Sequence, residues 1–412
     1  MHSKKILALT FYEDFSRLFF ALKLKNKSDF DIDIFATHLS GYIYAEKKIK
    51  LNKKFLPYAI RSFKQKGSPE IDQEKLEWIA EYNIKFNLGK SQAVNLALKY
   101  FQFFYDRLAT QEYHCCIISG DSRMQSRALS LACDLLKIPK LFFEQAPFGY
   151  TLLDKEGVNC NASVRSRPEL IKRKNEVTID FRKNKAWKSK IRLRIVDYLF
   201  SSITLGLLYP EIVEEKKITD IIKRYLYPII FKKIGMGLPR EENTLIIGQV
   251  PTDANMLMHS KLTNHTQILK DIMTTQSNIV FREHPLYKGC YEKSLYETIK
   301  NSDSIKLSVN ESLEKDIKES KKIIVINSTV GMEAILQHRR NVLVCGDSIY
   351  DYLFGVYKPE KLFEFLKAPS HYESELLQHN LAWFDENFIR GHFRDEDLTK
   401  LVNEIEIRIN AI

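Results

Sequence analysis

The 412 residues contain no Cys-x-x-Cys pair, no Gly-x-Gly-x-x-Gly turn, no Walker phosphate loop and no His-Glu-x-x-His. These absences remove the common zinc and redox frameworks, the ordinary dinucleotide and P-loop sites, and the metalloprotease site. The six cysteines (Cys115, Cys116, Cys133, Cys160, Cys290, Cys345) are scattered, several within apolar runs, a usage that suits reduced thiols and predicts a cytoplasmic chain. No apolar run is long enough to span a bilayer. The longest, Tyr198 to Pro210, falls short of the ~20 residues needed, and Glu13 and Asp14 interrupt the N-terminal run before any signal-peptide core forms.

What is present is an ordinary globular composition, 44% hydrophobic and 28% charged, with 12 Pro and 15 Gly. The length fits two domains of ~150 to 200 residues. The net charge of +11 points to an anionic partner, which charge alone leaves open among nucleic acid, a lipid surface and a phosphorylated substrate.

Short apolar runs alternate with helical patterns in the first part: KILALTF, FSRLFFALKLK, DIDIFATHL, then CCIISG, SRALSLACDLLK and KLFFE. The same alternation resumes with NTLIIGQV, HTQILKDIMTT, NIVFREH, KKIIVINST, GMEAILQH and NVLVCG. Strand, helix and strand with short connections predict two parallel α/β units. The expected organisation is a Rossmann-like domain over 1–160, a basic helical insertion over 161–240, a second Rossmann-like domain over 241–356, and C-terminal helices over 357–412 packing back on the first domain.

Four segments carry candidate chemistry, each where a strand ends and a loop or helix begins, the place where open α/β sheets bind ligands. In VINSTVGMEA, a strand over Ile323 to Ile326 leads to Asn327, Ser328 and Thr329, with Gly331 opening a helix. Helix-start N–H groups and the helix dipole favour a phosphate there; alternatively, Ser328 or Thr329 is an N-cap with Glu333 closing the first turn. In FREHPLYKG, a strand delivers His284 and Pro285 stops it, which suits an imidazole donor to a phosphoryl oxygen or a loop-capping histidine. In LIIGQVPTDANMLMHS, a buried strand ends at Gln249, and Asp253 is a nucleophile, a base or a helix N-cap. In LFFEQAPFGYTLLDKEGVN, a strand ends at Glu144, which is a general base or a loop cap.

Together and in this order, these segments resemble the capsule-polysaccharide biosynthesis family of retaining β-Kdo transferases (KpsS/KpsC-like). The similar pieces are SGDSRMQSRALSLACDLLKIPKLFFE, TLLDKEGVN, GQVPTDANMLMHS, HPLYKG and INSTVGMEAILQHRRNVLVCGDSIYD, between about residues 117 and 357. The last is the most specific, with its Asn-Ser-Thr-x-Gly start and Gly-Asp-x-x-Tyr exit. The resemblance implies a GT-B-like α/β architecture, two Rossmann-like domains facing a cleft, with CMP-Kdo held by the C-terminal one. No metal or other cofactor is expected, since no Asp-x-Asp follows a strand in the N-terminal half and helix-end donors can stabilise the departing phosphate. The resemblance places the nucleophile on Asp253, donor contacts on His284, Ser328, Thr329 and Gly331, and an acidic acceptor-side residue on Glu144; Gln249, Asn327 and Glu333, in the same segments, are the other donor-site candidates. Gln145 and Ala146 stand where the family often has Gly, a departure on the acceptor side. The implied acceptors are a lipid such as phosphatidylglycerol or a Kdo-bearing glycan, at the cytoplasmic face of the inner membrane, with no nucleic acid partner. For membrane contact the sequence offers the basic run Arg165 to Arg194 and the apolar run Tyr198 to Leu208. The rival readings are a transferase or epimerase of the same build using a UDP- or GDP-sugar, and a non-catalytic protein that binds anionic surfaces.

Overall fold

A computed structural model describes residues 3–26, 29–47, 49–64, 67, 69–166, 176–181, 185–187, 193, 195–197, 208–212, 236–237, 243–274 and 278–412. The chain divides into two compact units. One comprises Met1–Ser163, Arg182–Glu215 and Asn387–Ile412, and the other Val164–Phe181 and Lys216–Glu386.

In the first unit, Lys4–Thr10 (β1), Phe30–Ala36 (β2), Asn52–Phe55 (β3), Cys115–Ser119 (β4) and Lys140–Ala146 (β5) run parallel in the order β3-β2-β1-β4-β5. Residues 6–10 of β1 and all of β4 are buried in unbroken runs, as expected of parallel strands covered on both faces. The winding reverses between β1 and β4, with Ile6 opposite both Ile32 and Cys115.

The strand expected to end at Glu144 runs on to Ala146, because Tyr150–Asp154 (β6) returns antiparallel against it. Glu144 is therefore a ladder residue opposite Leu152, and the tight turn follows at Phe148 and Gly149, both at positive φ. The C-terminal tail also divides differently from the expected boundary at 357. Leu362–Lys367 and nearly all of Ser374–Asn387 stay in the second unit, where Trp383 is buried edge-on against Phe354 at 5.4 Å. Only the last stretch lies in the first unit, where Ile389–Arg390 pairs antiparallel with β6 and Phe393 stacks on Phe15 at 4.3 Å.

The second unit is a six-stranded, wholly parallel sheet of Met236–Gly237 (β7), Thr244–Ile247 (β8), Ile279–Arg282 (β9), Ile305–Ser308 (β10), Lys322–Val325 (β11) and Val342–Val344 (β12). The order is β12-β11-β8-β9-β10-β7, so the winding reverses between β8 and β11. Each unit is thus a Rossmann-like α/β sheet, as expected. β7 lies inside the stretch expected as a basic helical insertion. Most of that stretch, including the greater part of Arg165–Arg194 and of Tyr198–Leu208, lies outside the described residues. Among the described residues, no helix is long and apolar enough to cross a membrane.

Candidate functional site

Ligands of open α/β sheets bind outside the carboxyl ends of the strands where the winding reverses. In the second unit that point lies between β8 and β11. β8 runs out through Gly248 into Gln249, and β11 through Ile326 into Asn327. The two side chains, both buried, lace the crevice: Gln249 Nε2 donates to Asn327 Oδ1 at 2.9 Å, and the Asn327 amide donates to Gln249 Oε1 at 3.4 Å. Asn255 joins them in a reciprocal pair, with Asn327 Nδ2 donating to the Asn255 carbonyl at 2.8 Å and Asn255 Nδ2 to the Asn327 carbonyl at 3.2 Å. The Gln249 backbone N–H donates to Nε2 of buried His265 at 3.1 Å. The amides of Gln249 and Asn327 thus hold the two strand-end loops together, and each already has a protein partner.

Beyond Asn327 the chain enters the helix Val330–His338. Ser328 Oγ accepts the Val330 N–H at 3.2 Å, while Thr329 sits at the N-cap position without a side-chain capping bond. The Glu333 N–H donates to the Thr329 carbonyl at 3.2 Å. The structure accounts for Gly331 by packing: a β-carbon there would lie 1.9 Å from the hydroxyl oxygen of Tyr350, which donates to the Ser328 carbonyl at 2.9 Å. The exit tyrosine of the Gly-Asp-x-x-Tyr segment therefore occupies the space that the helix-opening glycine leaves. Gly331→Ala is expected to lower stability by about 1 to 3 kcal/mol through overpacking, read as a lower denaturation midpoint. The double variant with Tyr350→Phe should recover part of the loss, since the ring carbon would still be 2.9 Å away. Equal stability of wild type and Gly331→Ala would show that Tyr350 does not enforce the glycine.

On the other side of β8, β9 leads through Glu283 to His284. Glu283 Oε1 accepts the Tyr296 hydroxyl at 2.6 Å and the Gly289 N–H at 2.8 Å, which fixes the turn. His284 donates its backbone N–H to the Tyr291 hydroxyl at 3.0 Å, and its Nδ1 accepts the Leu286 N–H at 3.2 Å. A neutral ring with Nδ1 accepting carries its proton on Nε2, the atom that can donate. Burial raises the Tyr291 hydroxyl pKa, so this tyrosine stays protonated.

Asp253 is exposed and caps the short helix Ala254–His259, with Oδ1 accepting the Asn255 N–H at 2.8 Å. The N-cap alternative is therefore realised in the geometry. Asn255, His265, Tyr291 and Tyr350 were not singled out by the sequence reading, and only Tyr350 carried a visible signal, as part of the exit segment. Glu144 belongs to the first unit, where its Oε2 lies 3.8 Å from the position a β-carbon would take at Gly120. Among the described residues, no group of three or more His, Cys, Asp or Glu side chains is disposed to hold a metal ion.

Residues 215–393 match the profile of a family described as capsule polysaccharide biosynthesis protein. The match covers less than half of the chain and marks this region as similar to that family. The matched region takes in β7 to β12 and the whole crevice between β8 and β11, and leaves Glu144 outside. No curated protein sequence matches the chain. Among solved structures, the chain is similar to a β-Kdo 2,7 transferase, KpsC of Thermosulfurimonas dismutans, at 14% identity over 82% of this chain and 98% of that one, with a TM-score of 0.36. It is also similar to the β-Kdo 2,4 transferase of the same organism's KpsC, at 12% identity over 71% and 87%, with a TM-score of 0.39. A UDP-N-acetylglucosamine 2-epimerase from Rickettsia bellii stands at 12% identity over 100% and 96%, with a TM-score of 0.40. Likenesses of this size assign no substrate.

Proposed function

We propose that the chain is a retaining glycosyltransferase that moves Kdo from CMP-Kdo to a lipid or glycan acceptor in surface-polysaccharide synthesis. The observation that carries the reading is the placement of three chemically distinct groups on three adjacent strands of the matched region. Ser328 and Thr329 follow β11, Asp253 follows β8, and His284 follows β9, in the spatial order β11-β8-β9. At ~4.8 Å between strands, the roots of the three loops fall within roughly 10 Å. One nucleotide sugar spans that distance.

In this reading the donor phosphate sits at the start of the helix Val330–His338, where N–H groups and hydroxyls favour an anion. His284 Nε2–H supports the departing phosphate, and Asp253 attacks the anomeric carbon. Gln249, Asn327 and Asn255 keep the phosphate loop and the Asp253 loop in register. Glu144, on the acceptor unit, removes the proton from the attacking hydroxyl in the second step. The acceptor is phosphatidylglycerol or a Kdo-ended glycan, met at an anionic membrane surface. The chemistry uses no divalent ion; a rate abolished by EDTA and restored by magnesium would say otherwise.

Mass spectrometry of products from CMP-Kdo and candidate acceptors tests the whole reading, and turnover of UDP- or GDP-sugars in place of CMP-Kdo would replace it. For the phosphate site, Ser328→Ala with Thr329→Ala should weaken CMP binding by about tenfold in calorimetry, the size of one or two hydrogen bonds to a charged group. CMP affinity equal to wild type would move the phosphate elsewhere.

A further inference from the structure

The first unit has its own reversal of winding, between β1 and β4, and it contains an unusual cation. Arg123 precedes the helix Met124–Leu136, just beyond the carboxyl end of β4, and is half-buried. Other inward-lying arginines are matched to carboxylates: Arg61 to Glu211, Arg107 to Asp33, Arg127 to Glu81 and Arg282 to Asp316. Among the described residues, the Arg123 guanidinium makes no hydrogen bond and no ion pair. It instead lies over two aromatic rings, 5.1 Å from the centre of Phe11 and 5.4 Å from that of Tyr82.

The carboxylate nearest in sequence is committed elsewhere. Asp121 accepts the Val158 N–H at 2.9 Å, the Asn161 amide at 3.0 Å and the Ser122 hydroxyl at 2.7 Å, tying the SGDSR segment to the DKEGVN loop. Cation–π contact with two rings holds the guanidinium in place while leaving its N–H fork unused. A pre-oriented fork without a protein carboxylate is suited to a carboxylate or phosphate from outside.

The surroundings suit a hydroxyl-bearing ligand. Gly120, at φ +60, leaves open a position that lies 3.9 Å from the Phe11 ring and 3.8 Å from Glu144 Oε2. Phe11 thus borders both the cation and the gap beside the carboxylate. We propose that Arg123 binds the oxyanion of a polyhydroxy substrate at the carboxyl ends of β1 and β4, and so holds that substrate's hydroxyl groups beside Glu144. The role of Glu144 rests on the transferase reading; the anion contact does not.

The test is titration of the full chain without donor, using three probes: free Kdo for a sugar carboxylate, glycerol 3-phosphate for a lipid headgroup, and inorganic phosphate. Kdo or glycerol 3-phosphate should bind, and the preferred one identifies the source of the oxyanion. Arg123→Gln should weaken that binding at least about tenfold. Arg123→Lys, which keeps the charge and loses the fork, should fall between. CMP affinity and melting temperature should match wild type in both variants, which separates a lost contact from a lost fold. Equal probe affinity in wild type and Arg123→Gln overturns the proposal. So does failure of all three probes to bind wild type, or Arg123-dependent binding of inorganic phosphate alone. Failure of the transferase reading looks different: probe binding that depends on Arg123, with no nucleotide sugar consumed, keeps this site and removes that function.

Discussion

Asp253→Asn is expected to lower Kdo transfer by about three orders of magnitude or more while leaving the melting temperature and CMP affinity near wild type. The amide is chosen because of what the structure shows at this position. Asp253 caps the helix Ala254–His259 through its bond to the Asn255 N–H. Asn is as good an N-cap as Asp, whereas Ala would cost about 1 kcal/mol. The Asn variant therefore keeps the cap and removes the carboxylate proposed as nucleophile. Retention needs two displacements at the anomeric carbon, the first by a carboxylate and the second by the acceptor hydroxyl. CMP binding survives because the lost interaction is made in the transition state and not with the nucleotide. Substantial transfer by Asp253→Asn, or a product of inverted configuration, would return Asp253 to the cap alone.

The strands of both units were legible because parallel strands buried on both faces read as unbroken apolar runs, as in LIIG before Gln249 and IIVI before Asn327. Their carboxyl ends were legible for the same reason, since each run stops at a polar or glycine residue. The continuation of β5 past Glu144 was not, because Gln145 and Ala146 break the apolar run while their backbone keeps pairing with Thr151 and Tyr150. A ladder formed by main-chain atoms leaves little mark on side-chain pattern. β7 was hidden likewise, being two residues in a basic stretch. The lacing of Gln249, Asn255 and Asn327 depends on loops 72 and 78 residues apart in sequence, a pairing that no local period encodes. Gly331 showed the limit from the other side. The glycine was visible, but its reason, the Tyr350 hydroxyl, becomes apparent only when residues 19 positions apart meet.

Asp316→Ala should cost about 3 to 5 kcal/mol of stability, the second large effect, because it strands a buried arginine. Arg282 ends β9 and is ion-paired with fully buried Asp316. The same guanidinium donates to the carbonyls of Asn310 at 2.9 Å and Glu311 at 3.2 Å, while Asp316 also accepts from Ser308 Oγ and Asn310 Nδ2, each at 2.6 Å. The pair thus pins the loop after β10 to the end of β9, two residues before His284. Removing one partner leaves the other charge desolvated and uncompensated, whereas replacing both with apolar residues of similar volume does not. Arg282→Met with Asp316→Leu should therefore recover most of the midpoint lost by Asp316→Ala in urea. Its melting would approach wild type, yet its donor KM should rise, since the carbonyl contacts that hold the β10 loop against the His284 turn are gone. A midpoint for Asp316→Ala within the range of surface substitutions would show that the pair is solvated and not buried. A double variant with both stability and donor KM restored would show that His284 is positioned by its own turn, through Tyr291 and Leu286, without help from Arg282.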